Sequence, residues 1–147
     1  MFRLLIGSLL ALAVFASGAT AEMVFTTTID GPAAGTGSSG TGSATLTLND
    51  EETEVAYVAA IGNLQGFETG AHFHGVDDIR HHNLDLGPNK SGTWDITPAQ
   101  VIELKAGNVY INVHSDVFIM GEIRGDFDLG SVASEFQEWG AIKALYR

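Results

Sequence analysis

Three short segments of this 147-residue chain alternate apolar and polar residues with a period of two, the period of a β-strand and not of a helix. They are Gly70-Ala71-His72-Phe73-His74-Gly75, Val109-Tyr110-Ile111-Asn112-Val113-His114 and Gly121-Glu122-Ile123-Arg124-Gly125. Successive side chains on a strand point to opposite faces. Phe73 therefore opposes His72 and His74; Val109, Ile111 and Val113 oppose Tyr110, Asn112 and His114; Ile123 opposes Glu122 and Arg124. One face of each segment is core, and the other carries groups able to bind something.

The rest of the chain repeats the strand signal between turn signals. Met23 to Ile29 is rich in β-branched and aromatic residues. Gly31 to Gly42 is a Gly/Ser-rich loop that lacks the Lys of a phosphate cradle. Ala44–Leu48 and Thr53–Ile61 flank Asn49-Asp50-Glu51-Glu52, a hairpin turn. Asp77 to Lys90 is polar and reads as irregular loop, with His81-His82 inside it, and Gly92–Ile96 reads as a short strand. Thr97-Pro98-Ala99-Gln100 predicts a helix start, with Thr as N-cap, Pro at the first position and Gln completing a capping box. Gly107 ends that helix, and strands over 108–114 and 120–129 follow. About seven strands and one small helix predict an all-β domain, an antiparallel β-sandwich or barrel of immunoglobulin-like character. In the tail, Ser134-x-x-Gln137 is a second capping box, and Phe136, Trp139, Lys143 and Tyr146 recur near helical spacing. The expectation for 131–147 is a helical tail docked on the sandwich, the alternative an appendage read by export or attachment machinery.

The first 21 residues read as a secretory signal: Arg3, an apolar run over Leu4–Ala16 and a small-x-small site at Ala19-Thr20-Ala21. That run is too short for a stable span. The predicted organisation is signal over 1–21, β-domain over 22–130 and tail over 131–147. The expected location is outside the cytoplasm: periplasmic, secreted or at the cell surface. The whole chain has a formal charge of −11, and cleavage would remove Arg3 as well. So acidic a chain repels phosphate backbones and anionic lipid, which argues against nucleic-acid partners. With no cysteine, disulfides, thiolate metal sites and thiol catalysis are all excluded.

Two histidines at i, i+2 on a strand project from one face, roughly 6–7 Å apart at the backbone. Imidazole suits Cu and Zn. If the strand of His114 lies beside that of His72 and His74, three nitrogens can converge, with His81 or His82 folding over them. The competing reading is a polar surface in which these histidines simply hydrogen-bond to neighbours. Glu122 and Arg124 are expected to share a face with Tyr110 and Asn112, as a ligand-binding face or a polar ladder. An exposed ion pair there contributes at most about 1 kcal/mol. No Gly-x-Ser-x-Gly turn occurs and nothing singles out a carboxylate pair, so no hydrolase is indicated.

In this order, the three segments resemble the CHRD domain, first described in the developmental inhibitor chordin and common in exported microbial proteins. The likeness runs from about Val24 to Phe127, strongest at 71–75, 106–115 and 121–125. It implies an extracellular β-sandwich module without a defined activity. Chordin's binding of bone morphogenetic proteins depends on cysteine-rich modules that this chain lacks, and is not carried over. A fainter likeness runs to Cu,Zn superoxide dismutase: Gly62-Asn63-Leu64 through His72-Phe73-His74 looks like the approach to its copper, and Val113-His114 like a later copper ligand. That likeness implies a dismutase-like sandwich with His72, His74 and His114 as copper-type ligands. The departures are the missing disulfide and the missing zinc-binding loop after Gly75. The leading expectation is a non-enzymatic exported binding module for a protein or glycan, with the His72/His74/His114 face as its site and Cu or Zn as the candidate cofactors. The alternatives are a Cu- or Zn-binding metalloprotein and a surface or matrix structural domain.

Overall fold

The computed structural model describes residues 22–130; the expected signal and helical tail lie outside them. The described residues form nine strands, one α-helix and one 3-10 turn. The strands are β1 (Met23–Asp30), β2 (Thr41–Leu48), β3 (Glu54–Gly62), β4 (Glu68–His74), β5 (Arg80–Leu84), β6 (Asn89–Asp95), β7 (Tyr110–Ser115), β8 (Ile123–Asp126) and β9 (Asp128–Leu129). The helix α1 (Pro98–Lys105) lies between β6 and β7, and the 3-10 turn spans Val76–Asp78. The fold is all-β and antiparallel, as the alternation predicts.

The strand order is β5-β4-β7-β8-β1-β2-β3-β6, with β9 on β1. Two four-stranded halves meet where β1 and β8 share one pair, Asp30 with Arg124. They fold over one core. Phe73 on β4 packs edge-on against Tyr57 on β3 (5.4 Å between ring centres) and Phe127 (5.7 Å), and lies 5.8 Å from Trp94 on β6. Fully burying one such ring contributes about 1.5–3 kcal/mol.

Local chemistry explains the ends of elements. Asn49 Oδ1 accepts from the backbone N–H groups of Thr53 and Glu54, so the acidic hairpin turn is tied by its Asn. Thr97 caps α1 with the expected box: its hydroxyl accepts from Gln100 N, and Gln100 Oε1 accepts from Thr97 N. Gly107, at φ +73°, follows the helix end in the left-handed conformation that favours glycine.

One stretch departs from expectation. Residues 77–90 are not irregular: they contain β5 and the start of β6, the two ends of the strand order. An edge strand pairs on one side only and tolerates polar residues that hide the strand pattern. Of β5, only Leu84 is a buried aliphatic side chain.

Candidate functional site

The outer face of β4, β7 and β8 carries the site. Their antiparallel register sets His72 opposite Asn112, His74 opposite Tyr110, and His114 opposite Gly70; Asn112 in turn pairs with Arg124. Residues directly opposite share a face. His72, His74, Tyr110, Asn112, His114 and Arg124 are thus brought together, while Phe73, Ile111, Val113 and Ile123 fill the core beneath them.

Gly70 leaves the space into which the His72 ring leans; a Cβ there would stand 3.3 Å from His72 Cε1. The His72 ring lies 5.0 Å from that of His114 and 5.6 Å from that of His74. One nitrogen from each of the three imidazoles lies within 4.8 Å of the other two.

Hydrogen bonds decide which nitrogens are free. His74 Nδ1 lies 3.0 Å from the backbone oxygen of Asp78, and His114 Nδ1 lies 3.0 Å from that of Ile119. A carbonyl only accepts, so both Nδ1 atoms carry a proton, and in the neutral imidazole each Nε2 presents its lone pair. Those Nε2 atoms are buried without a partner, as is His72 Nδ1. Buried polar atoms are ordinarily paired, so three orphaned nitrogens in one patch ask for something to bind.

The charge state of His72 leaves it able to ligate a cation. Burial pushes the His72 pKa down to about 4, and the neighbouring His114, Arg80 and His74 add to that. His72 is therefore neutral at pH 7. Arg80 Nη1 lies 3.4 Å from His72 Nε2. Because the guanidinium is positive and can only donate, this long contact opposes a cation and sets the His72 proton on Nδ1, so ligation through that nitrogen requires Arg80 to yield and the proton to leave or move to Nε2.

A polar cleft of about 550 Å³ adjoins the cluster, lined among others by Asp78, Tyr110, Asn112, Met120, Arg124 and Asp126. Tyr110 joins the two: its ring stacks on His74 (5.2 Å, 11°), with the Arg124 guanidinium 3.5 Å above it. The Tyr110 hydroxyl donates to Asp78 Oδ1. Burial first, then that bond, pushes the Tyr110 pKa up to about 12, while the same bond draws Asp78 down. Asp77 and Asp78 are both left-handed, at φ 56° and 63°, an unusual pair of non-glycine residues. This bend brings the Asp78 carbonyl under His74.

Three other residues named from sequence stand elsewhere. His82 faces inward opposite Phe73 and stacks on Phe73 and Trp94; burial lowers its pKa. The register shift between Phe73 and His74 accompanies the departure of His81 from the cluster as well. His81 stacks on Trp94, and its Nε2 lies 2.7 Å from Glu103 Oε2, tying β5 to α1. Gly75 is required there, since a Cβ would strike both His81 and Glu103.

Glu122 is not on the ligand face and does not pair with Arg124. Its backbone N–H donates to Val113, the residue that also pairs with Ile123, so two residues oppose one. Such a bulge breaks the alternation and turns Glu122 inward, fully buried. Its carboxylate accepts from Ser38 Oγ (2.6 Å) and from the backbone of Gln65 (2.5 Å) and Gly66 (3.4 Å). Arg124 pairs with Asp126 at 2.6 Å.

Sequence reasoning missed the backbone oxygens of Asp78 and Ile119, Arg80 and the gap at Gly70. Backbone groups leave no side-chain signature; only the glycine opposite a predicted histidine could have been noticed.

Among the described residues no helix is long and apolar enough to cross a membrane. A family model of the CHRD domain matches residues 20–127. No curated protein and no solved structure matches. With that model spanning most of its length, the chain belongs to the CHRD domain family.

Proposed function

We propose that this protein is an exported binding module whose ligand is a transition-metal ion, Cu or Zn, held by His72, His74 and His114. The observation that carries the reading is the set of three buried imidazole nitrogens without partners, one from each histidine. Neutral imidazoles are the ligands these ions take. Two of the three histidines have their other nitrogen fixed by a backbone carbonyl, the outer-shell arrangement that orients metal-binding histidines. The role is capture and holding of the ion; no catalytic step is assigned. Export is supported by the signal-like residues 1–21.

The test is titration of the chain from Glu22 with Cu(II) and Zn(II), beside a His72→Ala/His74→Ala variant. Stoichiometric submicromolar binding that vanishes in a folded variant supports the reading. Absent binding, or binding indifferent to both substitutions, overturns it.

A second reading, a protein-binding module, draws on the exposed apolar side chains of Phe67 (84 %), Ile119 (76 %) and Met120 (81 %). Absent metal binding by wild type, together with partner binding that Phe67→Ser/Ile119→Ser abolishes, favours that reading instead.

A further inference from the structure

Among the described residues, four buried side-chain nitrogen or oxygen atoms lack a hydrogen-bond partner: His72 Nδ1, His74 Nε2, His114 Nε2 and Asn112 Oδ1. Three belong to the histidine cluster. The fourth belongs to the residue directly opposite His72 on β7, two positions before His114 on the same face. Resting on the metal-binding reading, we propose that Asn112 Oδ1 is the fourth donor, completing an N3O site selective for a divalent ion over Cu(I).

The amide orientation is fixed. Asn112 Nδ2 donates to the backbone oxygen of Met120 at 3.1 Å. Since that oxygen only accepts, the amide cannot be the other way round, and the unpartnered atom is an acceptor. Gly121, at φ +125°, leaves room for the amide, since a Cβ there would strike Asn112 Oδ1. The loop 116–121 thus supports two donors at once, His114 through the oxygen of Ile119 and Asn112 through that of Met120.

The donor set bears on the choice of ion. Three imidazoles alone suit Cu(I), Cu(II) and Zn(II). An amide oxygen is a hard donor that adds affinity for the divalent ions and little for Cu(I), which prefers soft ligands. Asn112 then acts as a specificity residue as well as a ligand.

The experiment compares wild type, Asn112→Ala and Asn112→Asp, each titrated with Zn(II), Cu(II) and Cu(I), with Cu(II) electron paramagnetic resonance as a second readout. Apo melting temperatures establish that each variant is folded. Asn112→Ala is expected to weaken Zn(II) and Cu(II) by about ten- to a hundredfold, to leave Cu(I) nearly unchanged, and to alter the Cu(II) g-values while nitrogen coupling from three imidazoles persists. Asn112→Asp, which keeps an oxygen and adds charge, is expected to bind the divalent ions more tightly than wild type. Wild-type affinities and spectra in a folded Asn112→Ala overturn the assignment of Asn112 alone. If Asn112→Ala does not fold, unchanged or weaker divalent binding by folded Asn112→Asp overturns it. Absence of metal binding by wild type overturns the metal-binding reading itself, and this assignment with it.

Discussion

Replacing Glu122 by Gln isolates a buried carboxylate that lies near the site in sequence but apart from it in space. The carboxylate accepts from Ser38 Oγ, Gln65 N and Gly66 N, with a further hydrogen bond from Ser115. It thereby binds the loops 31–40 and 63–67 to the start of β8. Gln keeps one acceptor oxygen but turns an NH₂ group toward donors that previously met the second. Hydrogen bonds to charged groups contribute about 1.5–3 kcal/mol, and each stranded donor costs about 1–3 kcal/mol. With one side of the carboxylate preserved, the loss is about 2–4 kcal/mol at pH 7. Burial alone would raise the Glu122 pKa, but the hydrogen bonds from Ser115, Ser38, Gln65 and Gly66 together hold it below the ordinary 4.5. A group with a lowered folded pKa stabilises fully above its unfolded pKa, and that contribution is lost as pH falls through the folded value. Urea denaturation of the chain from Glu22 at pH 7 and pH 3 measures both effects. The expected midpoint gap at pH 7 is on the order of 1–2 M, shrinking in acid because Gln does not titrate. A stability loss below about 0.5 kcal/mol at pH 7, the ordinary scatter of surface substitutions, or a midpoint gap that acid leaves unchanged, refutes the reasoning. Metal affinity should not move, since Glu122 does not face the histidines.

Lys90 offers a second buried charge: it is 2 % exposed, and its Nζ donates to Glu68 Oε1 at 2.5 Å and to the backbone oxygens of Asp85 and Gly87. Lys90→Met strands the Glu68 carboxylate and should cost about 3–5 kcal/mol, much of it recovered in Lys90→Met/Glu68→Gln; thermal melts of the single and double variants check both. At the site, Arg80→Gln removes the cation beside His72 and its contact with Nε2. Zn(II) affinity, read by competition with a chromophoric chelator, should rise severalfold, and a fall would show that Arg80 supports the site.

The sequence made faces legible but not neighbourhoods. Alternation through Phe73, Ile111 and Ile123 correctly separated core from surface because each lies on a strand whose two faces differ in polarity. The capping box at Thr97 and the Asn49 turn were readable because both are made by side chains acting within a few residues. β5 was lost because an edge strand needs no apolar alternation, and His81 and His82 were misplaced with it. Glu122 was misplaced because a single bulge opposite Val113 reverses the facing of the residue before it, and no residue type announces a bulge. Convergence of His72, His74 and His114 depended on β4 lying beside β7, on Gly70 leaving room, and on the Asp78 and Ile119 carbonyls fixing tautomers. Each of these depends on which backbone lies next to which. The orphaned atoms can be recognised only after pairing has been accounted for, since a histidine with both nitrogens satisfied and one with a free lone pair are the same letter in the sequence. That difference separates a polar surface from a metal site, and it makes Asn112, read from sequence only as part of a ligand-binding face, a candidate donor beside the three histidines.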